Sequence, residues 1–488
     1  MPAIQLQQVV AEANRCLTSQ SSEDIAKAPE LFELLLDVEP LNASVLHALG
    51  TSYMRAKRYS LAELVFRYSL TLQPDRLEVL SNLGVTLINQ GRHAEAREQF
   101  AKAYALSPDL LETQINMMTA YVNNGTPEEC LKWVYKILDK YPDNRDALWN
   151  GALAQLELYN FSDGWDWYAS GLVPCLNSTQ TRKRRHYHEK DKVPLWNGAA
   201  GPVTVIYGEQ GVGDEIMGAS MLPDAAERTP IIFEAHPRLA NIFRHSFGEK
   251  FPIYGTRKVP WNENLFTQWH SVEAQLPLLG LGQFFRRRAE DFPRTPYLKP
   301  YPKLVEKYKR RLTALSDKPK IGISWKGGTI HTRNDLRSIP LQHWIPIFQG
   351  VDAEWISLQY DPAEAYGWNT PIVESFCNET GMLLHHWPEV INDLDEGYGG
   401  LINALDLVVT VHQSLIHACG AFGVPCWVLT PKRCAWPFGV RGTQVVWYGD
   451  HVRQMRQEED DWTPTLNALK QQLIRFCKER RSSALTAA

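Results

Sequence analysis

The sequence of 488 residues contains no apolar run close to the roughly 20 residues that a helix needs to span a bilayer. Its eight cysteines include no CxxC pair and no His/Cys cluster at zinc spacing, so neither a disulfide framework nor a metal site is expected. The formal net charge of −4 gives no global electrostatic reason to expect a nucleic-acid partner. The N-terminal stretch MPAIQLQQVVAEANR lacks the basic start and apolar core of a signal peptide. We therefore expect a cytoplasmic protein with reduced thiols.

The composition is that of an ordinary folded protein, with 44% hydrophobic, 11% aromatic and 22% charged residues. The length exceeds what one hydrophobic core supports and predicts about three domains.

The first third of the chain repeats itself with a period of 34 residues. Five landmarks agree on this period: Gly50 with Gly84, Ala62 with Ala96, Phe66 with Phe100, Pro74 with Pro108, and Pro108 with Pro142. In such units small residues let two helices approach each other, and aromatic residues fill the space between units. With Leu46, Leu49 and Tyr53 at their expected places, the pattern resembles a tetratricopeptide-repeat array, which is an α-solenoid.

Weaker units surround these two. A third unit lies near 111–142, and a fourth, from about Arg145, carries Gly164 in place of alanine and adds Trp165 and Trp167. We interpret the fourth unit as the cap that docks onto the next domain. Residues before about Leu41 look helical and are expected to form one more degenerate unit.

The remaining chain alternates strands and helices, which is typical of parallel sheets. The expected strands are 203–207, 230–236, 251–255, 319–325, 354–359, 405–411, 425–429 and 444–449, with a short segment near 381–386. Together they predict two Rossmann-like domains facing a cleft, with ligands at the carboxyl ends of the strands. The expected domains are a repeat array over 1–170, a linker over 171–195, and α/β domains over 196–317 and 318–488. The basic run at 182–185 favours a solvated linker over a phosphate contact.

The first candidate site is the loop GEQGVGD at 208–214, which follows an apolar strand and begins a helix. Its glycines let backbone approach a ligand, and the helix aims unpaired N–H groups at the same place. The third glycine of the dinucleotide fingerprint is missing, so a nicotinamide or flavin cofactor is not indicated. An equally weighted alternative is a tight turn in which Asp214 caps its helix. The substrate-binding candidates in this loop are Glu209, Gln210, Gly211 and Gly213.

The second candidate is the basic, glycine-rich loop that follows the strand ending at Trp325. Backbone N–H groups and cations of this kind are what holding a diphosphate requires. The alternative is a solvated basic loop. The nucleotide-binding candidates here are Lys326, Gly327, Arg333 and Arg337, with Gln359 at the end of the next strand.

The third candidate is the helix that follows the strand LDLVVTV, where Gln413 and Ser414 begin the helix and His417 lies in its first turn. A helix N-terminus is a natural seat for a phosphate. A lone histidine such as His417 is more often packed inside a helix than in contact with a ligand. Its position in the first turn gives the packed interpretation and the ligand-contact interpretation equal weight.

Taken together, the pieces GWDWY, PLWNG, GEQGVGDEI, RSIPL, LDLVVTV and HxxGAxG, in this order, resemble bacterial proteins in which tetratricopeptide repeats precede a GT-B glycosyltransferase domain. That domain is similar to the lipopolysaccharide heptosyltransferases and, more distantly, to O-linked N-acetylglucosamine transferase. The resemblance implies an inverting, metal-independent transfer of sugar from a nucleotide-sugar donor, with no other cofactor. It also implies that Asp214 is the candidate base and that Lys326 and the residues after it bind the donor phosphates.

Two departures from the family pattern open an alternative function. His412 stands where the family usually has an aspartate, and DEGYGG at 395–400 replaces an alanine-threonine pair. Either change is compatible with a different donor or with a catalytically degenerate scaffold that binds a partner through its repeats. For the active protein we expect the repeat groove to recruit a protein or peptide acceptor, while self-association of the groove and a glycan or lipid-linked acceptor stay open.

Overall fold

The computed structural model describes residues 3–124, 126–171, 193–257, 270–328, 336–360, 369–459 and 461–487. These residues fall into two compact units, one reaching to Ala154 and the other beginning at Gln155. The predicted linker lies almost entirely outside the described residues, as does the basic run at 182–185.

The first unit is built of antiparallel helix pairs. Its helices are α1 (Ala3–Thr18), α2 (Ser22–Val38), α3 (Ala43–Arg55), α4 (Tyr59–Leu72), α5 (Leu77–Asn89), α6 (His93–Leu106), α7 (Leu111–Asn124), α8 (Pro127–Lys140) and the start of α9 (Arg145–Glu157). Gly50 of α3 packs directly on the ring of Phe66 of α4, and Gly84 packs in the same way on Phe100, leaving no room for a Cβ at either glycine. The repeated contact explains the 34-residue period physically.

The helices share one apolar core that runs along the unit. Phe66, Phe100, Ala62 and Ala96 are fully buried in it. α1 and α2 form a further helix pair before the first clear repeat, in agreement with the degenerate unit expected there.

The second unit begins within the last helix pair and continues with the α/β part. Its first sheet has the order β3-β2-β1-β4 and is parallel throughout the described residues. The elements of this part are α10 (Phe161–Ser170), β1 (Thr204–Tyr207), α11 (Val212–Gly218), α12 (Leu222–Arg228), β2 (Ile231–Glu234), α13 (Ala240–Phe247), β3 (Ile253–Tyr254), β4 (Ala274–Pro277), α14 (Gly282–Phe285) and α15 (Pro302–Thr313).

The second sheet, in the described part of the chain, has the order β10-β9-β8-β5-β6-β7 and is also parallel. Its elements are β5 (Lys320–Ser324), α16 (Ile345–Gly350), β6 (Glu354–Ser357), α17 (Asn369–Thr380), β7 (His385–His386), α18 (Pro388–Ile391), α19 (Leu394–Gly397), β8 (Leu407–Val411), α20 (Ser414–Phe422), β9 (Cys426–Thr430), β10 (Val452–Arg456) and α21 (Thr463–Ala487). Ile321, Val409 and Leu429 of three neighbouring strands lie in the core beneath α21.

Two strand predictions were wrong. β4 lies in a region where no strand was expected, and 444–449 is a turn segment rather than a strand, the last strand being β10. Val446, Trp447 and Tyr448 are buried, so their apolar run reflects packing of a turn into the core. A short apolar run does not distinguish these cases by periodicity alone.

Within the described ranges, no helix has both the length and the apolar character needed to cross a membrane.

Candidate functional site

The two parallel sheets present their carboxyl edges to one place in the second unit. The loop after β1 leads into α11, the loop after β8 leads into α20, and the two helices pack against each other at their first turns. A Cβ built on Gly213 would lie 2.9 Å from His417 Cδ2 and 3.1 Å from Ser414 Cα. The N-terminal ends of both helices, with their partial positive charge, therefore meet beside Asp214.

Asp214 is held at the start of α11. Its Oδ2 accepts a hydrogen bond from the Gly211 N–H at 3.1 Å, so the capping alternative describes its geometry. Burial raises the pKa of the Asp214 carboxyl, and the backbone N–H of Gly211 and nearby Arg257 only partly oppose the rise. A desolvated carboxylate with a raised pKa is a better proton acceptor than an exposed one. Capping and a base function are thus compatible here.

Two other side chains of this loop, those of Glu209 and Gln210, form hydrogen bonds within the protein. Glu209 Oε1 accepts from the Leu279 N–H at 3.2 Å, and Gln210 Nε2 donates to Tyr168 Oη at 2.7 Å. Gln210 has a φ of 57°, a left-handed conformation that is unusual for a residue with a side chain. Both side chains, predicted to bind substrate, anchor the loop to neighbouring elements.

The prediction that Gly213 lets a ligand approach needs correction. The space beside its Cα is taken by Ser414 and His417, so the missing side chain permits the close packing of α11 on α20. Gly211 lies in the exposed part of the loop, and its contact with a substrate stays a prediction.

In the second candidate loop, Gln359 acts as a clamp rather than as an open ligand contact. Its Oε1 accepts from Ser324 Oγ at 2.8 Å and from the Lys326 N–H at 2.9 Å, and its Nε2 donates to the Lys326 carbonyl at 3.1 Å. Gln359 is buried, and its side chain positions the backbone of Lys326.

Two glycines let this loop pass close to its neighbours. Gly327 lies against the His412 carbonyl with no room for a Cβ. Gly328, with a φ of 76°, lies under the guanidinium of Arg337, which covers the space where a side chain would be. Lys326 and Arg337 are therefore brought to the same loop end. Arg333 lies outside the described residues.

The first residues of α20 are engaged in hydrogen bonds within the protein. Gln413 Nε2 donates to Ser324 Oγ and, at 3.1 Å, to Thr410 Oγ1. Ser414 Oγ lies 2.8 Å from the hydroxyl of Tyr398, which belongs to the segment DEGYGG at 395–400. The side chains of Gln413 and Ser414 thus fix the strand end, and the anion seat at the N-terminus of α20 stays a prediction.

His417 lies between Gly213 of α11 and the ring of Tyr448. Its Nδ1 lies 2.8 Å from Tyr448 Oη, Tyr448 is hydrogen bonded to Tyr297, and Tyr297 donates to the Ile216 carbonyl at 2.8 Å. Burial lowers the pKa of His417 to about 4, so the imidazole is neutral at physiological pH. This chain of hydroxyls connects His417 of α20 to the backbone of α11.

His412, one of the two departures from the pattern that the sequence resembles, is buried and neutral. Its Nε2 lies 3.1 Å from Thr430 Oγ1, and its ring packs at a tilt on Phe438 with a centroid distance of 3.9 Å. Thr430 donates to Gln454 Oε1, so it accepts from the Nε2–H of His412. Burial and then Arg337 hold the pKa of His412 well below its usual range. The side chain at this position is therefore uncharged.

Two residues beside the Asp214 loop, Glu215 and Arg257, were not predicted from the sequence. Glu215 is fully buried and forms an ion pair with Arg257 at 2.6 Å between Oε2 and Nη1. Its other oxygen accepts from the His236 N–H at 2.6 Å, and the Glu215 carboxyl fills the space that a side chain at Gly208 would need. A glutamate in the first turn of a short helix is a weak signal, since most such residues are exposed.

Glu215 predicts a pH dependence of stability. Burial raises its pKa to about 7 from 4.5, so between these values the folded chain keeps a proton that the unfolded chain releases. The free energy of unfolding should therefore fall as pH rises through this window, by about 2 to 3 kcal/mol. Glu215→Gln, which resembles the protonated carboxyl, should remove most of the fall. Calorimetry of the full chain at pH 5 and pH 8 measures it.

The exposed Glu227 of α12 provides the matched control, because Glu227→Gln removes an exposed carboxylate from the helix that follows α11. Equal pH slopes in the wild type and in Glu215→Gln would contradict the prediction.

Comparison with protein families identifies the repeats. Two tetratricopeptide-repeat models match residues 47–110 and 87–156. The N-terminal helices therefore form a tetratricopeptide-repeat solenoid.

Among solved structures, the chain is similar to MamA from Desulfovibrio magneticus RS-1, with 16% identity and a TM-score of 0.30 over 34% of this chain and 90% of that one. It is also similar to YrrB, described as a TPR protein with an unusual peptide-binding site, with 16% identity and a TM-score of 0.29 over 34% of this chain and 84% of that one. A tetratricopeptide-repeat protein from Parabacteroides merdae has 16% identity and a TM-score of 0.31, over 34% of this chain and 64% of that one.

A longer relative is Protein FlbA from Caulobacter vibrioides, 27% identical over 345 residues, which are 66% of this chain and 54% of FlbA. The chain thus spans about half the length of this curated relative. The matched 66% of the chain is about twice as long as the part before Ala154. The similarity to FlbA therefore extends into the α/β part.

Proposed function

We propose that this chain is an inverting, metal-independent glycosyltransferase of GT-B architecture that moves a sugar from a nucleotide-sugar to a protein acceptor. The observation that carries the proposal is the meeting of Asp214 with the N-terminus of α20, where Gly213 packs on Ser414 and His417. Glycosyl transfer needs a base for the acceptor hydroxyl and a seat for the anionic leaving group. A desolvated carboxylate can serve as the base, and a helix N-terminus can hold the anion.

In the proposed reaction the Asp214 carboxylate takes the proton of the acceptor hydroxyl, whose oxygen then attacks the anomeric carbon of the donor. The bond from that carbon to the diphosphate oxygen breaks, and the electron pair leaves with the nucleoside diphosphate. A single displacement inverts the anomeric centre. Lys326, Arg337 and the backbone N–H groups at the start of α20 offset the negative charge of the leaving group. The sequence-predicted Arg333 belongs to the same basic loop.

A protein acceptor is proposed because of the repeats. Tetratricopeptide arrays present extended surfaces that bind peptides and docked helices. Their role here is to bring the acceptor to the α/β part, where Asp214 lies at the end of a short loop.

The first test is nucleotide binding without metal ions. The full chain is incubated in EDTA with UDP-, GDP-, ADP- and CMP-sugars, and its thermal unfolding is followed. Protection is expected to rise with concentration as RT ln(1 + [L]/Kd), reaching about 2.7 kcal/mol at one hundred times Kd. The matched variant Arg337→Gln removes one cation of the basic loop and should weaken the protection. Absence of protection by every nucleotide at millimolar concentration would remove the donor site and the proposed function.

A scaffold that binds a partner through its repeats is the second candidate. Its support is the neutral His412 where the family pattern has a carboxylate, together with the internal hydrogen bonds of Gln359 and Ser414. A scaffold of this kind predicts no nucleotide protection while the repeat unit stays folded.

A further inference from the structure

Gln210 is the one residue of the loop at 208–214 that is held in the left-handed conformation, with a φ of 57°. Such a backbone is strained for a residue with a Cβ and persists only where its surroundings impose it. Two contacts from different elements impose it here. Tyr168 of α10 accepts from the side chain of Gln210 at 2.7 Å, and Arg257, which follows β3, donates to its carbonyl.

Tyr168 is itself rigid. It is fully buried, and its ring meets the indole of Trp165 edge-on at a centroid distance of 5.6 Å. Trp165 donates from Nε1 to the Arg286 carbonyl at 2.9 Å and covers Gly282, which has no room for a Cβ. The hydroxyl of Tyr168 therefore has a fixed position relative to the first sheet.

The opposite side of Gln210 is equally fixed. Arg257 forms its ion pair with the buried Glu215 and reaches the Gln210 carbonyl with its second terminal nitrogen. The next residue, Gly211, donates its N–H to the carboxylate of Asp214 at 3.1 Å. A shift of Gln210 therefore moves the group that orients Asp214.

We infer that Tyr168 is a positioning residue for the reaction, which it serves by holding Gln210 so that the Gly211 N–H orients the Asp214 carboxylate. The inference rests on the proposed function for the reaction itself. It also means that α10, the second helix of the last repeat pair, belongs to the α/β site, because without it Gln210 loses one of its two restraints.

The test uses the full chain with Tyr168→Phe, Gln210→Asn and the double variant. Phenylalanine keeps the ring on Trp165 and removes only the hydroxyl. Asparagine tolerates the left-handed conformation but is one methylene too short to reach Tyr168. Hydrogen exchange of the peptide covering 208–214 should become about 5- to 10-fold faster in each single variant, since one hydrogen bond is lost. The double variant should exchange no faster than either single variant.

Tyr301→Phe is the matched control. It removes another tyrosine hydroxyl of the same unit, one that donates to Asp395 Oδ1 at 2.9 Å, and should leave exchange at 208–214 unchanged. The inference is overturned if the loop exchanges at the wild-type rate in Tyr168→Phe, if Tyr301→Phe accelerates it equally, or if the two single effects multiply in the double variant.

The kinetic arm separates this inference from the proposed function. With whichever of the four nucleotide-sugars protects the wild type, Tyr168→Phe should lower kcat about 10-fold while the nucleotide Kd from thermal protection stays within two-fold. A raised Kd with unchanged kcat would overturn the positioning role. If no nucleotide protects the wild type but the exchange results are as expected, the restraint of the loop stands and the glycosyltransferase proposal fails.

Discussion

Asp214→Asn is expected to lower the rate of sugar transfer by about 10²- to 10⁴-fold, because asparagine cannot take the proton of the acceptor hydroxyl. Its side-chain oxygen can still accept from the Gly211 N–H, so the start of α11 should keep its shape. The measurement is kcat with the nucleotide-sugar that gives thermal protection, alongside the Kd of that nucleotide. The Kd should be unchanged, since in the proposed reaction the donor phosphates are held on the other sheet.

A matched control is available in the same unit. Asp291 accepts from the Arg288 N–H at 2.8 Å with the same spacing of three residues, at the start of a 3₁₀ turn. Asp291→Asn changes a capping carboxylate in the same way and should leave transfer unaffected. Equal transfer rates in Asp214→Asn and the wild type would show that Asp214 is a helix cap and nothing more.

The pH dependence of the transfer rate tests whether Asp214 acts as the base. Burial and the neighbouring Glu209 raise the pKa of Asp214, so the carboxylate takes up a proton at a higher pH than an exposed aspartate. Transfer should therefore be lost as pH falls through this raised pKa, because only the ionised form accepts a proton. His417, whose pKa burial lowers to about 4, is neutral above that pH and does not contribute a second limb at neutral pH.

The parts of the fold that depend on local repetition could be predicted from the sequence. Gly84 and Phe100 recur with Gly50 and Phe66 at one spacing because each glycine accommodates one ring, so a contact between helices appears as a pattern along the chain. The strand and loop around Asp214 were predictable for a similar reason, since an apolar strand, glycines and a helix start are neighbours in sequence.

The site could be predicted only where its partners are local. Gln359 was correctly placed after a strand and Ser414 at the start of a helix, but their hydrogen bonds reach Lys326 and Tyr398, so their use inside the protein has no local signal. Arg257, which pairs with Glu215 from 42 residues further along the chain, is equally invisible to periodicity. Burial decides the state of such groups, and burial at this position depends on the packing of both sheets.

Removing the residues before Arg145 is expected to abolish transfer to a protein acceptor while nucleotide binding is retained. Each of the two units has its own apolar core, one along the repeats and one beneath the second sheet, so loss of the first repeats should leave the second core intact. α10 is kept in the truncated chain, and with it the hydrogen bond from Gln210 to Tyr168. The base and the donor loop should therefore keep their geometry.

Two rates separate recruitment from chemistry in this truncated chain. Release of the nucleoside diphosphate by slow hydrolysis of the donor, with water as acceptor, needs no repeats and should continue at the rate of the full chain. Incorporation of labelled sugar into protein needs the acceptor to be held near Asp214, and without the repeats its effective concentration falls from the millimolar range of a tethered partner to its bulk value. Full-length rates of incorporation in the truncated chain would show that the acceptor reaches Asp214 unaided, and the repeats would then need another partner.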